Sequence, residues 1–153
     1  MPDQDALDRI DPDAATLTPS QVNELNANGL DALLGLTVTE VSPDRVVGTL
    51  TVTPRIFQAF GLVHGGVYTS AIESIASTAA WSWLNRPDGP KGGVVGVNNN
   101  TNFIRAVRSG ELKMVAAPLH RGRTQQIWHV AVTDDAGKLA AHGEVRLQNI
   151  AGN

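Results

Sequence analysis

The chain has 153 residues, 42% of them hydrophobic and 18% charged, with a formal net charge of −3 and no cysteine. This length suits one domain with a sizeable core, and the lack of cysteine excludes disulfides, thiolate zinc sites and a cysteine nucleophile. No apolar run is long enough to span a bilayer and the first residues are acidic, so neither a membrane segment nor a secretory signal is expected, and the expected compartment is cytoplasmic.

Five aspartates (Asp3, Asp5, Asp8, Asp11, Asp13) stand against Arg9 alone in residues 1–13, with Pro2, Pro12 and Pro19 interspersed. Residues 1–19 therefore read as an acidic, flexible tail ahead of a single domain over 20–153. The rest of the chain is close to neutral, which argues against a nucleic-acid partner. Thr18-Pro19-Ser20 opens a helical stretch, and Val22, Leu25, Leu30, Leu33 and Leu34 predict one or two short helices ending at Gly35. From Leu36 to Thr53 the pattern is that of a hairpin around the turn Ser42-Pro43-Asp44. Pro54 to Val63 is a loop, and Gly65 to Asn85 is a long helix stopped by Arg86-Pro87-Asp88-Gly89-Pro90. Four strands follow, Gly93–Ile104, Glu111–Leu119, Thr124–Thr133 and Lys138–Gln148, separated by turns. Two strands, one long helix and four strands predict an α+β fold in which an antiparallel sheet wraps around one long central helix.

Between Arg55 and Arg86, Glu73 is the only carboxylate, lysine or arginine. At about 100° per residue, Tyr68, Ala71, Ile72, Ile75, Ala79 and Trp83 share one side of the helix, which is expected to meet the sheet. Glu73 shares the other side with Gly66, Thr69, Ser70, Ala76, Ser77 and Ala80. An ordinary solvent face would carry several charges, so a single acid among small residues reads as the floor of a site. His64-Gly65-Gly66 sits where the helix begins, and a helix start offers free N–H groups and the positive end of the macrodipole to an oxygen gaining negative charge. Gly65 and Glu73 are about 12 Å apart along the axis, too far for one acyl carbon to meet both. Two antiparallel copies of the helix would bring Gly65 of one chain to Glu73 of the other, which predicts a two-fold dimer with two equal sites.

The stretch from Gln58 to Gly66, followed by Glu73 and Ser77, resembles hotdog-fold acyl-CoA thioesterases, and most closely the 4-hydroxybenzoyl-CoA and phenylacetate-pathway type with glutamate on the central helix. The element order agrees over roughly residues 30–149. Val95–Phe103 and His120–Thr124 look similar to segments of actinobacterial members. The resemblance implies a hotdog fold and hydrolysis of an acyl-CoA to a free acid and CoA. Glu73 is then the nucleophile or the general base, and the Gly65 amide polarises the carbonyl. Gln58 and His64 position the acyl group, the carboxylate or the water, and Ser77 hydrogen-bonds within the site. Gly66, Arg105, Arg108, Arg121, Gly122, Arg123 and Thr124 are candidates for binding the substrate, the arginines through the CoA phosphates. No metal and no separate cofactor are expected, CoA being part of the substrate, and the implied assembly is a homodimer at minimum, with a homotetramer as the fuller form.

Other readings are a non-catalytic acyl-CoA-binding hotdog protein and a hotdog enoyl-thioester hydratase or dehydratase. His120, His129 and His142 lack metal-ligand spacing, and no Gly-x-Ser-x-Gly elbow is present. Phe57, Phe60 and Leu62 leave room for an aromatic acid, a naphthoyl group or a medium aliphatic chain. The asparagine run 98–100, unusual in a strand, is either a dimer junction near the site or a strand with satisfied side chains.

Overall fold

The computed structural model describes residues 17–151; residues 1–16, most of the expected tail, lie outside them. Leu17 is buried in the core, and Thr18 caps helix α1 (Pro19–Leu25) by a capping box with Gln21. Helix α2 (Leu30–Leu34) ends at Gly35, whose φ of 80° needs a residue tolerant of the left-handed region.

The strands are β1 (Leu36–Val41), β2 (Val46–Thr51), β3 (Gly92–Phe103), β4 (Glu111–Arg121), β5 (Gln125–Thr133) and β6 (Leu139–Ala151). They form one fully antiparallel sheet in the order β1-β2-β4-β5-β6-β3. Helix α3 (Gly65–Leu84) lies between β2 and β3 in sequence and against the concave face of the sheet. This is the hotdog arrangement.

Alternation explains the packing. Gln126, Trp128, Val130 and Val132 of β5 point inward, as do Leu112, Met114 and Ala116 of β4 and Val145 and Leu147 of β6. From the helix side come Tyr68, Ile72 and Ile75. Ala76 and Ala80, expected on the small polar side, are fully buried as well. The helix is thus enclosed over more than its bulky side, because β3, β5 and β6 all pack along it and Gln126 of β5 reaches the Ala80 carbonyl. Gln126 satisfies its buried amide by donating to the Ala80 carbonyl and accepting from the Trp128 indole.

Strand β3 is one edge of the sheet, paired with β6 on one side only. Its register with β6 shifts between Gly96 and Asn98. That bulge reverses which residues face the helix: Val94 and Gly96 before it, Asn99 and Thr101 after it.

Candidate active site

Helix α3 starts with an uneven set of free donors. His64 is its N-cap, with φ −66° and ψ 138°. Its Nδ1 accepts the Gly66 N–H at 2.9 Å, and its carbonyl accepts the Val67 N–H at 3.0 Å. An accepting Nδ1 carries a lone pair, so the ring proton of the neutral imidazole sits on Nε2. The Gly65 N–H has no acceptor among the described residues. One donor therefore stays open at the positive end of a 20-residue helix. Gly65 lines a cavity of about 230 Å³ with Gln58, Tyr68, Phe103 and Arg105. Gln58 uses its Oε1 to accept from the Phe60 N–H, which turns its amide nitrogen away from the loop backbone.

Glu73 sits in the middle of α3, half-buried, on the side that faces β3. Asn99 Nδ2 donates to its Oε2 at 2.8 Å and to the Thr69 carbonyl at 3.1 Å. Thr101 Oγ1 donates to Asn99 Oδ1 at 2.7 Å, which fixes which way the amide points. The other oxygen, Oε1, lies over Gly96, where a Cβ would collide with it. The described ion pairs join Arg45 to Glu40 and Arg121 to Asp44, and Glu73 has no cationic partner. A carboxylate with one donor and no ion pair among the described residues leaves acceptor capacity for a water or a substrate group.

The remaining expected residues divide between the two ends of α3. Ser77, one turn after Glu73, makes no hydrogen bond among the described residues. It lines a cavity of about 270 Å³ with Leu17, Val22, Leu25, Trp81 and Val94. His64 does not share the Gly65 cavity; it faces another, with Arg55, Phe57 and Leu34. The Gly66 N–H is occupied by His64, which caps the helix. Arg105 lines the Gly65 cavity and Arg108 is exposed nearby. Arg121 is at the opposite end: it pairs with Asp44, donates to the Pro43 carbonyl at 3.2 Å and lies 5.6 Å over Trp83. These contacts hold its guanidinium away from the Gly65 cavity. Gly122, Arg123 and Thr124 form a turn held by Asn149, whose amide donates to the carbonyls of Gly122 and Arg123. The Arg123 side chain is exposed. His129 and His142 lie side by side on the outer face of the sheet, 5.6 Å between ring centres.

Reasoning from sequence did not assign four residues to this site. Gly96 and Thr101 carried no signal. Asn99 did, as an asparagine in mid-strand, but its partner could not be named before the bulge was known. Tyr68 was read as a core residue; it is only 4% exposed, yet its hydroxyl has no partner among the described residues and its side chain borders the Gly65 cavity. Burial pushes its phenol above the ordinary value.

A family model described as the thioesterase superfamily matches residues 60–141. A Mycobacterium tuberculosis protein provisionally named an esterase is 54% identical over 120 residues, 78% of this chain and 85% of its own length. The solved structure of that protein superposes with a TM-score of 0.77 over 80% of this chain and 97% of its own. A 1,4-dihydroxy-2-naphthoyl-CoA hydrolase of Escherichia coli is 31% identical, covering 80% of this chain and 88% of that one. The crystal structure of a Haemophilus influenzae thioesterase is 32% identical with a TM-score of 0.82, covering 89% and 92% of the two chains.

Proposed function

This chain belongs to the thioesterase superfamily, and from that premise we propose that it hydrolyses an acyl-CoA to a free acid and CoA at a site shared by two subunits. It is a thioester hydrolase, as its thioesterase and naphthoyl-CoA hydrolase relatives are named. The observation that carries the finer reading is the setting of Glu73, a lone carboxylate aimed at the open β3 edge with an amide donor and no cation.

In this mechanism Glu73 takes a proton from water as the water oxygen bonds to the thioester carbon. The carbonyl oxygen becomes an oxyanion, and the Gly65 N–H of the other subunit stabilises it at the helix terminus. The C–S bond then breaks, and the CoA thiolate leaves with the proton returned from Glu73. A general base has only to reach a water at hydrogen-bond distance. A nucleophile would have to leave Asn99 and come to bonding distance of the carbon, so the held carboxylate favours the base. A single turnover in ¹⁸O-water is expected to label the product acid and leave Glu73 unlabelled.

The shared site is supported by the β3 edge. Twelve residues long, it leaves its outer backbone groups unpaired and exposes Val95, Val97 and Phe103. Pairing with the same edge of a second copy would satisfy those groups and bring the two α3 helices together on the same side. A homotetramer of such dimers and a cytoplasmic location complete the proposal; among the described residues no helix is long and apolar enough to cross a membrane. The acyl group is assigned to the cavity beside Ser77, because Ser77, one turn after Glu73, and Val94, on the same face of β3 as Gly96, both line it. A cavity of about 150 Å³ holds benzene, so about 270 Å³ suits a bicyclic aryl group or a medium aliphatic chain. The resemblance of the His64-Gly65-Gly66 and Glu73 pattern to the 4-hydroxybenzoyl-CoA type and the naphthoyl-CoA hydrolase relative both support an aryl substrate. Arg105, Arg108 and Arg123 are the guanidinium groups assigned to the CoA phosphates.

The test uses two variants. Glu73→Gln removes the base. Gly65→Pro removes the N–H at the first helical position, where proline suits a helix start after the extended His64, provided that the exposed Phe103 ring, 2.9 Å from a Cβ there, swings aside. Each alone should lower thiol release from aryl-CoA esters by about 10²–10⁴-fold. Mixed after unfolding and refolding together, the two chains should recover activity, since each hybrid dimer holds one intact site. A Glu73→Gln enzyme at wild-type rate ends the catalytic assignment, and no recovery on mixing ends the shared site. Tight binding of CoA esters without thiol release would return the chain to the non-catalytic reading.

A further inference from the structure

We propose that Asn99, aimed by the bulge in β3 and oriented by Thr101, is the positioning residue of the site, holding the Glu73 carboxylate in one orientation over Gly96. This rests on the reading of Glu73 as the base.

The argument starts from strand parity. In a regular strand Gly96 and Asn99 would point to opposite faces, because side chains alternate. The register shift between Gly96 and Asn98 adds a residue, and both then face α3. One supplies space for a carboxylate oxygen and the other a donor to its partner oxygen. The amide of Asn99 is used at three points. One hydrogen goes to Glu73 Oε2, the other to the Thr69 carbonyl, and the oxygen accepts from Thr101. The amide therefore has one sensible orientation and cannot flip without losing all three bonds. Thr69 and Glu73 are successive turns of α3, so Asn99 clamps the base to its own helix as well as to the strand. A single link to Glu73 could be a chance surface contact. A saturated amide between a strand bulge and two helical turns fixes the direction of the carboxylate, which a base at a fixed carbonyl requires. None of the three residues needs to touch substrate, so the expected effect is on the chemical step and not on binding.

The experiment compares Asn99→Leu, Asn99→Asp and Thr101→Val with the wild-type chain, reading kcat, KM and the pH–rate profile with an aryl-CoA ester, and melting temperature as the fold control. Asn99→Leu should lower kcat about ten- to hundred-fold, the range set by a hydrogen bond to a charged group, with KM within about twofold. Its acid limb should move to higher pH, because the charged form has lost its donor. Asn99→Asp puts two carboxylates in contact and should move that limb further. Thr101→Val leaves the amide in place without its orienting hydroxyl, should fold normally and should lower kcat a few-fold. In the Glu73→Gln background, Asn99→Leu should cause no additional loss. Wild-type kcat and an unchanged profile in folded Asn99→Leu and Thr101→Val would overturn the proposal while Glu73→Gln still reports on the base. A loss confined to KM or to melting temperature would overturn it too, since that is what a structural tie alone would give.

Discussion

Tyr68 offers a stability test with an unusual sign. Its side chain is 4% exposed, and its hydroxyl is buried without a hydrogen-bond partner among the described residues. Leaving such a group unsatisfied costs about 1–3 kcal/mol. Replacing Tyr68 by Phe removes only that oxygen and keeps the ring, including its tilted contact with Phe103 at 6.1 Å. The void left is smaller than a methyl group, whose loss costs about 1 kcal/mol. The balance favours the variant by roughly 1 kcal/mol, or about 2–4 °C in melting temperature for a chain of this size. Calorimetry at one fixed protein concentration, so that association is held constant, measures this. A variant that melts below the wild type would refute the reasoning, because the hydroxyl would then be making a bond worth more than its burial costs. Tyr68 is also the chain's only tyrosine, so the alkaline absorbance titration reads it alone. Burial raises its folded-state value above 10.0. The stability this contributes is intact below that ordinary value and lost as pH rises through the folded one. The wild type should therefore lose more stability than Tyr68→Phe above pH 10.

Three further outcomes are expected. Gly96→Ala would set a methyl group against Glu73 Oε1, so thiol release should fall by at least about tenfold with the circular dichroism spectrum unchanged; full activity would mean that the carboxylate works from another position. Asp31 is 9% exposed, accepts from Ser74 at 2.6 Å and from Asn26 at 2.9 Å, and has its ionisation raised from 3.8 mainly by burial, with the Ser74 bond opposing. The favourable contribution of a raised acid is present below its unfolded value and lost as pH rises through the folded one, so Asp31→Asn should gain melting temperature on the wild type between pH 3.5 and 7, and a difference independent of pH would rule that out. Arg123→Ala should raise KM for CoA esters several-fold and spare a short thioester lacking CoA, whereas Arg121→Ala should leave KM alone and lower the melting temperature, since the half-buried Arg121 loses Asp44, the Pro43 carbonyl and Trp83 together; the reverse pattern would exchange their roles.

The parts of the fold that could be read in advance are those set by neighbours in sequence. The apolar run from Gly65, closed by the breaker cluster at 86–90, gave the helix within one residue at its C-terminal end, and the hairpin turn at 42–44 fell where expected. Thr18 acts within its own first turn, and its capping role was legible for that reason. His64 was not recognised as a cap, because histidine is not among the usual capping residues and its ring had been assigned to the substrate. Arg121 is a phosphate candidate by sequence, since nothing local shows that β4 brings it beside the β1–β2 turn and Asp44. The lone charge of Glu73 was visible, but its bond to Asn99 was not, because an inserted residue in a strand leaves no mark in the alternation of a segment rich in glycine and asparagine.

The sequence by itself determined that one acid and one glycine-opened helix start lie on the same apolar helix about 12 Å apart, because helical rise and periodicity are local properties of the backbone. Only the tertiary structure decided which strand faces that acid, which oxygen of it is held and which glycine makes room for it. Those depend on strand order and on a one-residue register shift in β3, and a shift of one residue exchanges the two faces of a strand.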